Sequence, residues 1–124
     1  EVIKVSGLYY TKPWGYEDQP EFVNLAVEAE TDLSPEELLK RVKTIERALG
    51  REDTFRWGPR VVDIDILFYD NLVIETDTLK IPHPYIAERD FVLLPMAEIA
   101  PQFVHPTLKK DIKTLLRELN EKRD

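Results

Sequence analysis

The chain has 124 residues, a formal net charge of −7 at pH 7 and no cysteine. This length suits one domain with its own hydrophobic core. The lack of cysteine excludes disulfides, thiolate metal sites and a cysteine nucleophile, and the negative charge disfavours nucleic-acid binding. No apolar run is long enough to cross a membrane, and no signal-peptide pattern opens the chain. We therefore expect a single domain over residues 1–124 in the cytoplasm, with neither nucleic acid nor a membrane as partner.

The N-terminal quarter of the sequence predicts two strands joined by a loop. Residues 1–11 and 22–31 alternate side chains with period two and are rich in β-formers. The loop over residues 12–20 is bounded by prolines and carries Trp14, which either contacts a ligand or covers the edge of the core. Asn24 is a polar residue at the start of the second strand. It either hydrogen-bonds a ligand or is a buried structural amide.

The next segment carries the signals of a complete helix. Ser34 is placed as N-cap, Pro35 as first helical residue and Glu37 as the third residue of a capping box. Gly50 should end the helix. Glu46 falls off the apolar side and is expected on the solvated surface. The predicted buried stripe consists of Leu38, Leu39, Val42, Ile45 and Leu49.

Residues 56–69 form the stretch with the clearest chemistry. In a strand, Asp63 and Asp65 share one face, and the apolar residues alternating with them share the other. Two carboxylates at this spacing can bind one or two divalent cations, although a solvated strand face has the same pattern. Arg56 and Arg60 flank a turn that contains Trp57, so phosphate-binding cations and a stacking ring stand next to the acids. This combination indicates a site for a Mg²⁺-nucleotide and a planar partner.

A turn and a restrained histidine follow this strand. Asp70 and Asn71 predict a tight turn, after which residues 72–75 should return as the hairpin partner of the strand. His83 lies between two prolines, which bar it from a helix or a central strand. It either donates to a phosphate or is a surface histidine in a turn.

Two helices should complete the chain. Residues 85–100 predict a helix with a break at Pro95, and residues 107–122 predict an amphipathic helix. The buried stripe of the second helix should comprise Ile112, Leu115, Leu116 and Leu119.

Five segments together carry a specific resemblance. They are YYTKPWG (9–15), DQPEFVN (18–24), RWGPRVVDIDIL (56–67), PHP (82–84) and RDFVLLPMAEIAP (89–101). They resemble the hydroxymethyl-dihydropterin pyrophosphokinase family, the folate-pathway enzymes that move pyrophosphate from ATP to a pterin alcohol. We therefore expect an α+β, ferredoxin-like sandwich, with a mainly antiparallel sheet and helices packed on it.

The resemblance implies how ATP is bound. Asp63 and Asp65 would hold two Mg²⁺ ions on the triphosphate of the co-substrate ATP, which fits their shared strand face. Glu46 would lie near the ribose of the nucleotide. The residues implied in phosphate binding and catalysis are Arg51, Arg60, His83 and Arg89. Guanidinium groups match the geometry of phosphate and keep their charge throughout.

The resemblance also implies how the dihydropterin is bound. Trp57 and Phe91 would stack on its ring system, and Asn24 would hydrogen-bond its edge together with the backbone near Thr11 and Trp14. The same pocket should contain Phe22. The implied activity is transfer of pyrophosphate to 6-hydroxymethyl-7,8-dihydropterin with release of AMP.

Some features depart from the family pattern and leave alternatives open. The family opens with a strand, a Gly-Ser-Asn-type turn and a helix ahead of the segment that begins here, so we expect an unpaired strand edge. Three explanations stay open: the sequence is partial, another chain supplies the missing part, or the fold has been rebuilt. The resemblance assigns no role to Arg56. The alternatives are a non-catalytic ferredoxin-like module that binds a nucleotide or metal, and a scaffold whose acidic strand face docks a basic partner.

Overall fold

The computed structural model describes residues 1–11, 22–50 and 62–123. The chain divides into two compact units. The hairpin unit comprises Glu1–Thr31 and Tyr85–Asp124, and the α1 unit comprises Asp32–Pro84. Every strand pairing among the described residues is antiparallel, and helices accompany the strands in both units. The predicted α+β class is confirmed.

Four short strands form the hairpin unit's two ladders. β1 (Val2–Val5) pairs with β4 (Val27–Ala29), and β2 (Tyr9–Thr11) pairs with β3 (Phe22–Asn24). Each of the two long strands expected from the sequence is therefore divided into two. The prediction of two continuous strands was wrong.

The division between the two ladders falls at Ser6. Val5 pairs with Val27 and Tyr9 pairs with Asn24, so three residues on one side lie opposite two on the other. The Ser6 amide donates to the carbonyl of Ala26 at 2.9 Å, and the Ala26 amide donates to the Ser6 hydroxyl at 2.9 Å. A side-chain oxygen thus replaces the backbone acceptor, which interrupts the ladder while its polar groups stay satisfied.

Helices complete the hairpin unit: a 3₁₀ turn (Ile86–Glu88), α2 (Asp90–Ile99) and α3 (Ile112–Arg123). The break predicted at Pro95 is absent, because the chain turns earlier, at Arg89, and Pro95 lies within α2. Burial of the Pro95 ring offsets the missing hydrogen bond. The helix predicted from residue 107 starts later, since a carboxylate oxygen of Asp111 accepts from the Thr114 amide at 2.8 Å and caps it.

The core of the hairpin unit lies where these helices meet. α2 contacts both α3 and the 3₁₀ turn, and it also contacts β2 and β3. The predicted stripe of α3 is confirmed at its start, where Ile112 and Leu115 are buried. The buried apolar side chains here are Ala26, Ile86, Leu93, Met96, Ile99, Ile112 and Leu115.

The α1 unit is built on the predicted helix, α1 (Pro35–Ala48). Its capping box is confirmed: the Glu37 amide donates to the Ser34 hydroxyl at 3.2 Å, and the Ser34 amide donates to the Glu37 carboxylate at 2.9 Å. The helix ends as predicted before Gly50, whose φ is 122°. The hydrogen bond from the Ser34 backbone amide, followed by that from the Ser34 side chain, lowers the pKa of the Glu37 carboxyl.

The buried side of α1 differs from the prediction. Val42 is buried, but Ile45 and Leu49 are exposed. Glu46 was expected at the surface, and that expectation is wrong, because its side chain is 1% exposed. The C-terminal half of α1 therefore buries the carboxylate of Glu46 and leaves the apolar side chains of Ile45 and Leu49 exposed.

The rest of the α1 unit is a small hairpin and an extended segment. β5 (Ile74–Glu75) pairs with β6 (Lys80–Ile81) around a turn closed by Thr76, so the prediction that 72–75 pairs with the acidic strand was wrong. Residues 62–69 belong to none of the strands in the described ranges. The turn at Asp70 is confirmed, since the Leu72 amide donates to the Tyr69 carbonyl at 3.0 Å. Among the described residues, every helix is too short or too polar to span a bilayer.

Candidate functional site

The acidic segment of the α1 unit keeps the alternation that the sequence predicts. Asp63 and Asp65 are exposed, whereas Val62, Ile64 and Ile66 are partly buried. This is the period of an extended chain, so both carboxylates lie on the solvent side. The segment therefore presents the two acids together without being paired as a strand in the described part of the chain.

Glu46 holds this segment at the residue between the two acids. Its carboxylate accepts a hydrogen bond from the Ile64 amide at 2.6 Å. Its other oxygen lies 3.5 Å from the ammonium group of Lys43, one helical turn earlier. A bond from a backbone N–H to a carboxylate is among the stronger hydrogen bonds in proteins. Glu46 thus fixes the backbone from which Asp63 and Asp65 project, and its role toward a ribose stays a prediction.

Two further hydrogen bonds anchor the same segment. The Tyr69 hydroxyl donates to the Leu33 carbonyl at the start of α1. The His83 amide donates to the Leu67 carbonyl at 3.0 Å. His83 is partly buried and lies two residues beyond β6. The α1 unit therefore brings His83 alongside the chain segment that carries Asp65.

These acids fit the requirements of a magnesium ion bound together with phosphates. Mg²⁺ commonly takes one or two carboxylates and fills its other positions with water and substrate phosphate oxygens. The described residues include no group of three or more His, Asp or Glu side chains placed to hold a metal. Two carboxylates without such a third side chain suit a magnesium ion that also binds water and phosphate oxygens.

One face of β2 and β3 carries three of the predicted pterin-binding residues. Tyr9 pairs with Asn24 and Thr11 pairs with Phe22, and directly opposed residues share a face. The amide group of Asn24 donates to the Thr11 hydroxyl at 3.1 Å, along the diagonal of the ladder. Phe22 is 58% exposed. Thr11, Phe22 and Asn24 are thus brought together on one surface of the hairpin unit.

Arg89 and Phe91 lie at the start of α2 with an aromatic residue that sequence reasoning missed. The Arg89 guanidinium lies 5.2 Å from the ring centroid of Tyr85 and 5.7 Å from that of Phe91. These are cation–π contacts, in which the negative electrostatic potential of the ring face attracts the positive charge of the guanidinium. Tyr85 and Arg89 flank the 3₁₀ turn, so their contact depends on a turn that the sequence pattern did not indicate.

Glu98 is the second residue that sequence reasoning missed. Its carboxylate accepts from the Tyr9 hydroxyl at 2.6 Å and from the Gly7 amide at 3.1 Å to each oxygen. The bonds from Tyr9 and Gly7 lower the pKa of the Glu98 carboxyl, and the bond to Glu98 raises the pKa of the Tyr9 hydroxyl. An acid near a helix C-terminus opposes the helix dipole, which is a sequence signal that it has a partner elsewhere.

The remaining predicted site residues lie outside the described residues. These are Trp14, Arg51, Trp57 and Arg60, and Arg56 lies there too. Their proposed roles stay predictions from the sequence.

Comparisons of the sequence with known proteins identify its family. Residues 1–101 match the family model described as 7,8-dihydro-6-hydroxymethylpterin-pyrophosphokinase. The chain is similar to the 2-amino-4-hydroxy-6-hydroxymethyldihydropteridine pyrophosphokinase of Aquifex aeolicus, with 46% identity over 91% of this chain and 71% of that protein. It is also similar to the Bacillus subtilis protein of the same name, with 54% identity over 82% of this chain and 60% of that protein.

The chain is also similar to a protein named for folic acid synthesis. The folic acid synthesis protein FOL1 of Dictyostelium discoideum is 55% identical over 83% of this chain, which is 16% of that protein. The chain thus spans less than two thirds of the Bacillus and Dictyostelium relatives that it matches. The family match covers every candidate residue from Thr11 to Phe91. The chain therefore belongs to the 7,8-dihydro-6-hydroxymethylpterin-pyrophosphokinase family.

Proposed function

We propose that this chain forms a single pyrophosphokinase domain that transfers pyrophosphate from ATP to 6-hydroxymethyl-7,8-dihydropterin in folate biosynthesis. The observation that carries the proposal is the family match over residues 1–101, which includes all the candidate site residues. The hydroxymethyl oxygen forms a bond to the β-phosphorus of ATP, and the bond from that phosphorus to the oxygen of the α-phosphate breaks. AMP leaves, and the hydroxyl proton is released.

The α1 unit supplies the proposed metal-binding residues. Asp63 and Asp65 would hold two Mg²⁺ ions, and when bound these ions neutralise the phosphate oxygens of ATP. The exposure of both acids on one side of an anchored segment supports this role. His83 would donate to a phosphate oxygen. Arg51 and Arg60 would add guanidinium groups that compensate charge on the transferred pyrophosphate.

The hairpin unit supplies residues proposed to bind the pterin. Asn24 and Thr11 would hydrogen-bond the edge of the ring, and their shared strand face supports this role. Phe91 would stack on the pterin and Phe22 would contact it, and a stacking role is also proposed for Trp57 of the α1 unit. Trp14 would contribute through its backbone, and Arg89 would bind phosphate. Transfer of this kind relies mainly on positioning and charge neutralisation.

The proposal is tested by following AMP formation from ATP and Mg²⁺, with and without 6-hydroxymethyl-7,8-dihydropterin. We expect AMP only with the pterin, and we expect Asp65→Ala to reduce turnover by at least about 100-fold because the metal loses a ligand. Asp77→Ala is the matched control, since Asp77 is an exposed acid of the same unit. Binding of Mn²⁺ in the presence of an ATP analogue should weaken only in the Asp65 variant.

Two results would count against different parts of the proposal. Full pterin-dependent activity in the Asp65 variant would reject the metal role of Asp65 and leave the proposed activity standing. The other result is binding of ATP without any pterin-dependent AMP, which would favour a non-catalytic nucleotide-binding module instead.

A further inference from the structure

The Glu98 carboxylate joins α2 to the β1–β2 side of the hairpin unit. It accepts from the Gly7 amide and the Tyr9 hydroxyl, and the Lys4 ammonium group donates to the carbonyl of the next residue, Ile99, at 3.4 Å. The proposed mechanism uses none of these residues. Three hydrogen-bond donors from one strand segment therefore converge on the last turn of one helix.

These contacts place the last turn of α2 against the β1–β2 segment. Lys4 bonds to Ile99, and Gly7 and Tyr9, which lie further along the chain, bond to the preceding residue, Glu98. The rest of α2 lies against the β2–β3 ladder, since the helix contacts both of these strands.

Phe91 and Glu98 lie on the same side of this helix. They are seven residues apart within α2, which is close to two full helical turns, and so about 10 Å along the axis. Tyr9 reaches Glu98 from the strand face that it shares with Thr11 and Asn24. Tyr9, which shares a strand face with Asn24, thus contacts the side of α2 that also carries Phe91.

We propose that Glu98 is a positioning residue for pterin binding. Through Tyr9 and Gly7 it sets where α2 holds Phe91 relative to the strand face that bears Thr11 and Asn24. This inference rests on the proposed function. A stacking ring and a hydrogen-bonding edge must be spaced correctly to engage one planar ligand, and a small displacement of either weakens the binding. Glu98 and Tyr9 themselves touch no substrate in this scheme.

Paired variants separate this positioning role from a general effect on folding. Tyr9→Phe removes only the hydroxyl that donates to Glu98, and Tyr10→Phe is its matched control, because Tyr10 lies on the opposite strand face and is 61% exposed. Glu98→Ala removes both acceptor oxygens. Glu98→Gln keeps one side-chain oxygen that can accept from Tyr9, so it should partly restore the contact. Glu118→Gln controls for loss of an acid on another helix of the same unit.

The experiment titrates the full chain with 6-hydroxymethylpterin, measures KM for both substrates, and records thermal unfolding. We expect Tyr9→Phe to raise the pterin Kd and the dihydropterin KM by about fivefold, and Glu98→Ala by about tenfold or more, with Glu98→Gln in between. The KM for ATP and kcat should stay within about twofold of the parent values, as should all constants of the two controls.

Each outcome of this experiment decides a different question. If the parent chain binds the pterin and the Tyr9 and Tyr10 variants bind it equally, the positioning role is wrong while the proposed function stands. A lower unfolding temperature in the Glu98 variants with an unchanged pterin Kd also rejects the positioning role, because a merely structural contact would do this. If the parent chain binds no pterin, both the positioning role and the proposed function are rejected.

Discussion

Two glutamates anchor candidate site residues in the two units, and they do so in different surroundings. Glu46 accepts from the Ile64 amide at 2.6 Å with its side chain 1% exposed. Glu98 accepts from the Gly7 amide at 3.1 Å and from the Tyr9 hydroxyl at 2.6 Å, and it is exposed. The chemistry of the two contacts is similar, but only one of them is shielded from water.

This difference determines what each contact contributes to stability. When an exposed carboxylate is removed, water can hydrogen-bond the donors that it leaves, so the loss is small. When a buried carboxylate is removed, a partly buried donor is left without an acceptor, and its full desolvation cost appears. We therefore expect Glu46 to act mainly on the stability of its unit, and Glu98 mainly on the position of α2.

The largest expected effect follows from Glu46→Ala. The Ile64 amide would lose its acceptor and Lys43 its ion pair, so the free energy of unfolding should fall by about 2–3 kcal/mol. Urea unfolding at neutral pH measures this change. Glu36→Ala, which alters an exposed acid on the same helix, should cost less than about 1 kcal/mol.

Glu46→Gln separates the hydrogen bond of Glu46 from its ion pair. Glu46→Gln keeps a carbonyl oxygen for the Ile64 amide but removes the charge that attracts Lys43, so its effect should be smaller than that of Glu46→Ala. If Glu46→Ala and Glu36→Ala lower the free energy of unfolding equally, burial does not determine how much a glutamate of α1 contributes to stability.

The contrast also explains which parts of the structure could be predicted from the sequence. The capping box of Ser34 and Glu37 was predicted because both partners lie within one helical turn. The exposure of Asp63 and Asp65 was predicted because alternation is a local property of an extended chain. In both cases the residues involved are close in sequence, so the sequence pattern alone predicts their arrangement.

The missed features depend on partners that are distant in sequence. The bond from Ile64 to Glu46 spans 18 residues, and the bond from Gly7 to Glu98 spans 91. The periodicity of a single helix or strand does not indicate contacts between residues so far apart in sequence. Glu46 was therefore expected at the surface, and no role was predicted for Glu98. The strand break at Ser6 was missed for a related reason, since it requires the Ala26 amide to find a side-chain oxygen rather than a carbonyl.

A buried histidine in the hairpin unit provides a pH test of the role of burial. Nδ1 of His105 accepts from the Thr107 amide at 3.1 Å and from the Leu108 amide at 3.0 Å, and burial lowers the pKa of the imidazole. Protonation of Nδ1 would replace this acceptor with a donor. Because the pKa is lower in the folded state, the stabilising contribution is complete above about pH 6.5 and declines as the pH falls through the folded value.

The measurement is the free energy of unfolding between pH 8 and pH 5 for the parent chain and for His105→Asn. The Asn side-chain oxygen can accept from the same two amides without titrating in this range, so the variant should lose less stability on acidification. The difference between the two pH profiles reports His105 alone. Parallel profiles would show that the imidazole is not held in its neutral form by burial.

The smallest change in stability is expected for an exposed ion pair of the hairpin unit, between Lys110 and Glu118. The Lys110 ammonium group lies 2.9 Å and 3.0 Å from the two carboxylate oxygens of Glu118, and the two side chains are 47% and 36% exposed. These distances rival those at Glu46, yet water competes for both groups. A double-mutant cycle with Lys110→Ala and Glu118→Ala should give a coupling below about 0.5 kcal/mol that shrinks further in 1 M salt. A coupling near the loss expected for Glu46 would mean that short distance, rather than exclusion of water, determines what a carboxylate contributes in this chain.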